Sequence, residues 1–154
     1  MALQTWLKDQ QPKALGAFFP VKKEPAIWPV LDEYAKNHPL YLPQFNAQKK
    51  QYQWARYWQA MQVDPLGIPE PVFNQGEVQE TIQFDHCLVP ALGIDSMGNR
   101  LGWGYGYFDR LLSDQIPHRM GVVLDQQWCA QAIPADPWDV PLTHVITQSG
   151  VRAL

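Results

Sequence analysis

Little in this chain permits a disulfide-stapled or membrane-spanning protein. There are two cysteines in 154 residues, Cys87 and Cys129, far apart in sequence. That is no disulfide framework, and it points to a reducing compartment. No window reaches the apolar length of a membrane span. Lys8, Asp9 and Lys13 interrupt the N-terminus before any secretory-type apolar run, so the expected location is the cytoplasm. Basic surplus is also missing. Twelve Lys and Arg against fifteen Asp and Glu leave a net charge of −3, which argues against a sequence-independent nucleic-acid binder, since that needs a basic face. No internal repeat, charge block or low-complexity stretch is present, and no His/Cys spacing suggests zinc. His86 and His144 read as packed or surface groups. Neither cysteine has the surroundings of a nucleophile elbow.

What the chain does have is glycine, concentrated in one place. Five of the ten glycines fall between Gly93 and Gly106. Gly102, Gly104 and Gly106 alternate with Leu101, Trp103, Tyr105 and Tyr107; Arg100 enters the run and Asp109 leaves it. Glycine lets backbone N–H groups turn inward without a Cβ in the way, and a concave row of such donors holds an anion such as phosphate. A helix starting near Tyr107 would add its N-terminal dipole. The run is not a P-loop, because it lacks the Gly-Lys-Ser/Thr ending, and its glycine spacing is not that of a dinucleotide fingerprint. Taken alone, G-x-G-x-G also occurs in tight turns and bulges.

The longer string is more specific. Val89-Pro90-Ala91-Leu92-Gly93-Ile94-Asp95, then Gly98-Asn99-Arg100-Leu101-Gly102, then Gly104 and Gly106-Tyr107-Phe108-Asp109-Arg110 resembles the signature of the 5-formyltetrahydrofolate cyclo-ligase family, also called methenyltetrahydrofolate synthetases. Weaker matches flank it in the right order: Phe18-Phe19-Pro20 with Glu24, Gly67-Ile68-Pro69-Glu70-Pro71, and Ile133-Pro134 with Asp139 and Val145-Ile146-Thr147. The resemblance spans about residues 14 to 148. It implies that ATP and Mg²⁺ serve as cofactors and 5-formyltetrahydrofolate as substrate. ATP would phosphorylate the formyl oxygen, N10 would attack the resulting iminium phosphate, and 5,10-methenyltetrahydrofolate would form. It further implies that Arg100 is catalytic and that Arg100, Leu101, Gly102, Trp103, Gly104, Tyr105, Gly106, Tyr107 and Phe108 cradle the nucleotide phosphates. Phe19, Glu24, Trp103 and Tyr107 would contact the folate, and Asp109 and Asp139 would hold magnesium. Simpler roles stand beside these: Arg100 paired with Asp95 or Asp109, Asp109 as a first-turn helix carboxylate, Asp139 as a turn residue, Glu24 as a helix-start charge, Phe19 and Tyr107 as core.

Two features depart from the family pattern. The opening MALQTWLKDQQPKALGAFF carries only Lys8 and Lys13, where family members have a helix rich in Lys and Arg that binds ATP phosphates. Tyr105 stands where Gly or Lys is usual. Lys22, Lys23, Lys49, Lys50 and Arg56 are substitute phosphate contacts, or simply solvated side chains. The missing basic helix favours an alternative reading, a non-catalytic or altered paralogue that binds a folate or nucleotide without turnover, while the retained Arg100, Asp109 and Asp139 favour catalysis, which is the expectation. An unrelated phosphate-ester or CoA-type enzyme sharing only the sheet is a third.

The length fits one domain, residues 1–154, and an apolar fraction of 46% fills a core. Fourteen prolines cut the chain into short elements. Leu3, Trp6 and Leu7 mark a short helix. Ala14 to Val21 reads as a buried strand, and Ile27, Val30, Leu31 and Tyr34 share a helix face. Strands follow at Leu40–Leu42, ending at Pro43, and at Tyr52–Trp58, with its aromatics on one face. Asp64–Gly76 reads as a proline-rich connection. Then come a strand at Cys87–Leu92, a helix at Tyr107–Asp114, a strand at Met120–Leu124, a short helix at Gln126–Ala132 and a last strand at Thr143–Thr147. Alternating strands and helices predict a three-layer α/β domain whose mostly parallel central sheet is flanked by helices. Phe19, Glu24 and the 100–109 loop follow strands, so they are expected at the carboxyl-end rim, where ligands sit in such sheets.

Overall fold

The computed structural model describes residues 2–72, 82–102 and 107–154. Its centre is a seven-stranded sheet built from β1 (Leu15–Gly16), β2 (Leu40–Asn46), β3 (Gln51–Arg56), β6 (His86–Pro90), β9 (His118–Val122), β10 (His144–Thr147) and β11 (Gly150–Ala153), in the order β11-β10-β9-β6-β1-β2-β3. Parallel pairing joins β2 to β1, β1 to β6, β6 to β9 and β9 to β10. Each margin closes with an antiparallel hairpin, β2–β3 and β10–β11. Two small antiparallel pairs lie outside the sheet, β4 (Met61–Val63) with β5 (Pro69–Pro71), and β7 (Gly93–Ile94) with β8 (Arg100–Leu101).

Register assigns the helices to opposite faces. His86, Leu15 and Leu40 are in register, so their side chains share a face. On it lies α1 (Ala2–Gln10), whose Trp6 ring meets His86 edge-on at 5.3 Å. Cys87, Gly16, Tyr41 and, two residues on, Pro43 point the other way, and Pro43 is in register with Trp54. Trp54 packs on Phe108 of α3 (Tyr107–Leu111) at 5.7 Å, so α3 covers this second face. The expected three-layer α/β architecture is thus present. Buried Leu15, Leu88, Val89, Met120 and Ile146 form the centre of the core.

Several element boundaries differ from the sequence reading, each for a local reason. β1 keeps only Leu15–Gly16 of the expected Ala14–Val21, although the Ala17 amide still donates to the Tyr41 carbonyl at 2.9 Å. β2 continues through Pro43 because alternate residues bond to β3, as the Tyr57 amide does to the Leu40 carbonyl, and the Pro43 nitrogen faces the other side, where β1 has ended. α2 (Trp28–Ala35) accepts Pro29 in its first turn, where the lost N–H has no helical partner. The proline-rich connection contains β5, which pairs with β4 just before it. The expected helix at Gln126–Ala132 is only a 3₁₀ turn at Asp125–Gln127. Thr143–Thr147 is not the last strand, since β11 follows it through a turn at Gln148 and Ser149.

Two glycines carry turns of different cost. Gly67 has φ +81° and open space around its missing Cβ, whereas at Gly98 (φ +82°) a Cβ would lie 2.3 Å from the Leu142 carbonyl oxygen. Gly67→Ala should cost about 1 kcal/mol, from the left-handed conformation alone. Gly98→Ala should cost about 3 kcal/mol, because strain and a backbone clash add. Urea denaturation of both variants tests this; equal losses would show that the Leu142 contact is not rigid.

Candidate functional site

The β7–β8 hairpin lies on the second face, where Ile94 Cδ1 occupies the space that a side chain at Gly121 would fill. A buried carboxylate shapes its turn. Asp95, 1% exposed, accepts the backbone amides of Met97 and Asn99 on one oxygen and the Asn99 side-chain amide on the other. That second oxygen also accepts the Ile133 amide at 2.7 Å. This last bond is long-range: it pulls the segment carrying Pro134 and Asp139 onto the hairpin. Gly98 adds to the clamp, its carbonyl accepting the Leu142 amide at 2.8 Å. Arg119 holds the same segment through Nε to the Pro141 carbonyl at 2.7 Å.

Between hairpin, α3 and this segment lies a cavity of about 30 Å³ lined by Gly98, Arg100, Asp109, Pro134, Asp139 and Pro141 among others. Arg100 is its central group. The side chain is 11% exposed, and its Nη2 pairs with Asp109 Oδ1 at 2.6 Å. Nη1 donates to the Pro90 carbonyl at 3.1 Å, and the guanidinium lies 5.9 Å from the Phe108 ring centre. Gly102 makes room for it: a Cβ there would stand 3.1 Å from Arg100 Nη1. Asp139 sits in a turn closed by the Asp136 amide donating to Asp139 Oδ2 at 2.8 Å. Arg100, Asp109 and Asp139, expected to act together, therefore face one space. The simple pairing of Arg100 with Asp109 is also present, so this guanidinium and carboxylate stand together beside the cavity.

The other expected residues are placed as follows. Leu101 and Arg100 belong to the antiparallel β7–β8 pair, and the Leu101 carbonyl accepts the Leu92 amide at 2.7 Å. They serve as a hairpin arm instead of an open row of amides. Trp103, Gly104, Tyr105, Gly106 and the Tyr107 side chain lie outside the described residues. Phe108 is buried beneath Arg100 and meets Phe18 edge-on at 6.4 Å, so it belongs to the core and supports the cavity from below. The same contact joins α3 to the loop after β1. On that loop Phe19 packs on Trp28 at 4.7 Å, and the buried Glu24 closes a turn with Val21. Lys22, Lys23, Lys49 and Lys50 are exposed, and Arg56 stacks over Trp58.

The sequence offers Asp95 only as a motif residue and a possible partner of Arg100, which pairs with Asp109 instead, and gives Glu70 no role. Glu70, 4% exposed, accepts the Phe45 amide at 2.7 Å and the Gln62 side chain at 3.0 Å, tying β5 to β2. The signal available was the type of residue: a carboxylate within an apolar stretch must have donors if it is buried.

A 5-formyltetrahydrofolate cyclo-ligase family model matches residues 3–148. The chain belongs to the 5-formyltetrahydrofolate cyclo-ligase family. The 5-formyltetrahydrofolate cyclo-ligase of Mycolicibacterium smegmatis is 31% identical over 170 residues, an alignment covering 99% of this chain and 84% of that protein. That of Haemophilus influenzae is 30% identical, over 91% of this chain and 78% of its own. The NMR structure of Aquifex aeolicus 5,10-methenyltetrahydrofolate synthetase superposes with a TM-score of 0.78 at 30% identity, covering 99% of this chain and 79% of that one. The cyclo-ligase fold is therefore shared over nearly the whole chain, including both clamped segments of the cavity.

Burial alone would raise the Asp95 carboxyl, but the bonds from Ile133, Asn99 and Met97 outweigh it and hold the group below the ordinary value of 3.8. A folded-state value below the unfolded one contributes stability above the unfolded value and loses it as pH falls through the folded one. Stability should therefore decline below about pH 3.8. Asp95→Asn should lower stability at neutral pH and flatten that acid limb, as read by denaturation at pH 7 and pH 3. An unchanged acid limb would show that Asp95 is not the group that titrates.

Proposed function

We propose that this protein converts 5-formyltetrahydrofolate to 5,10-methenyltetrahydrofolate with ATP and magnesium. Family membership supports the reaction class, and the meeting of Arg100, Asp109 and Asp139 at one cavity carries the assignment of residues. The γ-phosphoryl group of ATP passes to the formyl oxygen and ADP leaves. N10 then attacks the formyl carbon and loses its proton, and phosphate departs with the oxygen. Phosphoryl transfer asks the protein for positioning and charge neutralisation more than for a nucleophile. Burial pushes the Cys87 thiol far up, in keeping with the absence of a cysteine role.

Arg100 is the residue assigned to the transferred phosphoryl group. A guanidinium matches two phosphate oxygens at once, and Phe108 below it with the Pro90 carbonyl beside it fixes its plane. In this reading phosphate displaces Asp109 from Arg100, and Asp109 is released toward the cation. Magnesium suits the donor set: it is held by one or two carboxylates together with substrate phosphates. Asp109 and Asp139 are two such carboxylates, and no group of three or more metal-binding side chains gathers among the described residues. The bound cation would supply charge neutralisation on the phosphates. The described cavity has room for an ion or one edge of a phosphate, so the rest of the nucleotide lies outside it. Gly102 through Tyr107 remain the proposed nucleotide loop, with Leu101 as its hairpin arm and Phe108 as its support, and Phe19, Glu24, Trp103 and Tyr107 the proposed folate contacts.

The purified protein mixed with 5-formyltetrahydrofolate, ATP and magnesium should produce methenyltetrahydrofolate absorbance. Arg100→Ala and Asp109→Ala should each lower kcat about 10²- to 10³-fold, the usual cost of deleting a group that meets developing charge. Folate binding by calorimetry without turnover in the wild type would instead establish a binding protein.

A further inference from the structure

A second cleft, of about 250 Å³, opens on the face of β10 and β11 and is lined by Asp125, Trp128, Thr147, Ser149 and Arg152 with Val145 beneath. Val145 and Arg152 are in register, so both project on the face that carries the β7–β8 hairpin. The Arg152 guanidinium lies 4.0 Å from the centre of the Trp128 ring. Its five N–H donors have no hydrogen bond or ion pair among the described residues. An arginine seated over an indole, with no donor spent on a protein acceptor, is pre-organised for a planar oxyanion. Asp125, near enough to Arg152 to feel its charge, is fixed by Ser149 Oγ, and its amide donates to Gln148 Oε1 at 2.9 Å.

The two charges define the ligand. Arg152 calls for a carboxylate or phosphate, while the Asp125 carboxylate, kept ionised by its bonds from Ser149 and Thr147, repels a multiply charged phosphate. A single carboxylate adjoining an amide N–H satisfies both, with the carboxylate on Arg152 and the N–H toward Asp125. The cleft lies beside the hairpin that carries Arg100. Trp128 forms a parallel bridge with Ile94, and Ile94 is in register with Arg100. The backbones of Arg100 and Trp128 are thus two strand spacings apart, roughly 10 Å. That is the scale of an aromatic spacer between a reacting ring and a terminal amino acid.

We propose that the Trp128–Arg152 cleft is a subsite for the carboxylate of an N-acyl amino acid, here the aroylglutamate end of the folate. This rests on the folate reading above, and it supplies the position of the substrate's far end, which Arg100, Asp109 and Asp139 do not define.

The test uses the full chain and two probes. N-(4-aminobenzoyl)-L-glutamate, titrated by calorimetry, should bind the wild type and bind Arg152→Gln at least about tenfold more weakly, with partial recovery in Arg152→Lys. In turnover, Arg152→Gln should raise the KM for 5-formyltetrahydrofolate about tenfold and leave kcat and the KM for ATP unchanged. The exposed position of Arg152 lets the variant fold, which thermal denaturation verifies. Equal probe binding by wild type and Arg152→Gln overturns the proposal, as does a shift in the KM for ATP alone, which would make the oxyanion a phosphate. A wild type with no folate turnover but with Arg152-dependent probe binding refutes the cyclo-ligase reading and leaves the cleft standing.

Discussion

The Asp95 carboxylate is the contact on which the site depends. One side chain accepts the amides that shape its own loop and the Ile133 amide from the far end of the chain. Burying it would be unfavourable without those donors. With them, a short hairpin and a proline-rich segment become two walls of one cavity. Arg100 lies on one wall and Asp139 on the other, so neither is correctly placed unless Asp95 is satisfied.

The same logic recurs at Glu70, which ties the Pro-Glu-Pro strand to the sheet through the Phe45 amide. Both carboxylates lie in segments too short and too rich in proline and glycine to hold themselves by backbone ladders. Side-chain acceptors take over what longer strands would do. Signature residues of the cyclo-ligase family thus divide into two kinds. Asp95, Gly98 and Gly102 shape the loop and leave space, while Arg100 and Asp109 present charge to it.

Much of the fold was legible because its parallel strands are short apolar runs with clear ends, as at Cys87–Leu92, and its helices show a repeating apolar face, as at Ile27–Tyr34. The charged residues were singled out by the family resemblance, and Arg100, Asp109 and Asp139 line one cavity. Less legible was anything set by distant partners. Pro43 reads as a strand end, yet its nitrogen faces the side on which β1 has already stopped, so no ladder bond is lost. Gln126–Ala132 has helical composition, yet the backbone at Trp128 and Cys129 is drawn into contact with Ile94 instead. β11 has only four residues and no apolar run, and it becomes a strand because β10 offers it an edge. The role of Asp95 was hidden because its decisive donor, Ile133, is 38 positions away.

The arrangement of the sheet also bears on how the chain assembles. Its two margins are hairpins between neighbours in sequence, β2–β3 and β10–β11, which close over short turns. Its middle is the parallel meeting of Leu15 with His86, segments separated by nearly half the chain. Loop-closure entropy grows with the length of chain enclosed, and non-local pairing repays it only once formed. The topological barrier of this molecule is therefore concentrated at its centre, while its borders are kinetically inexpensive.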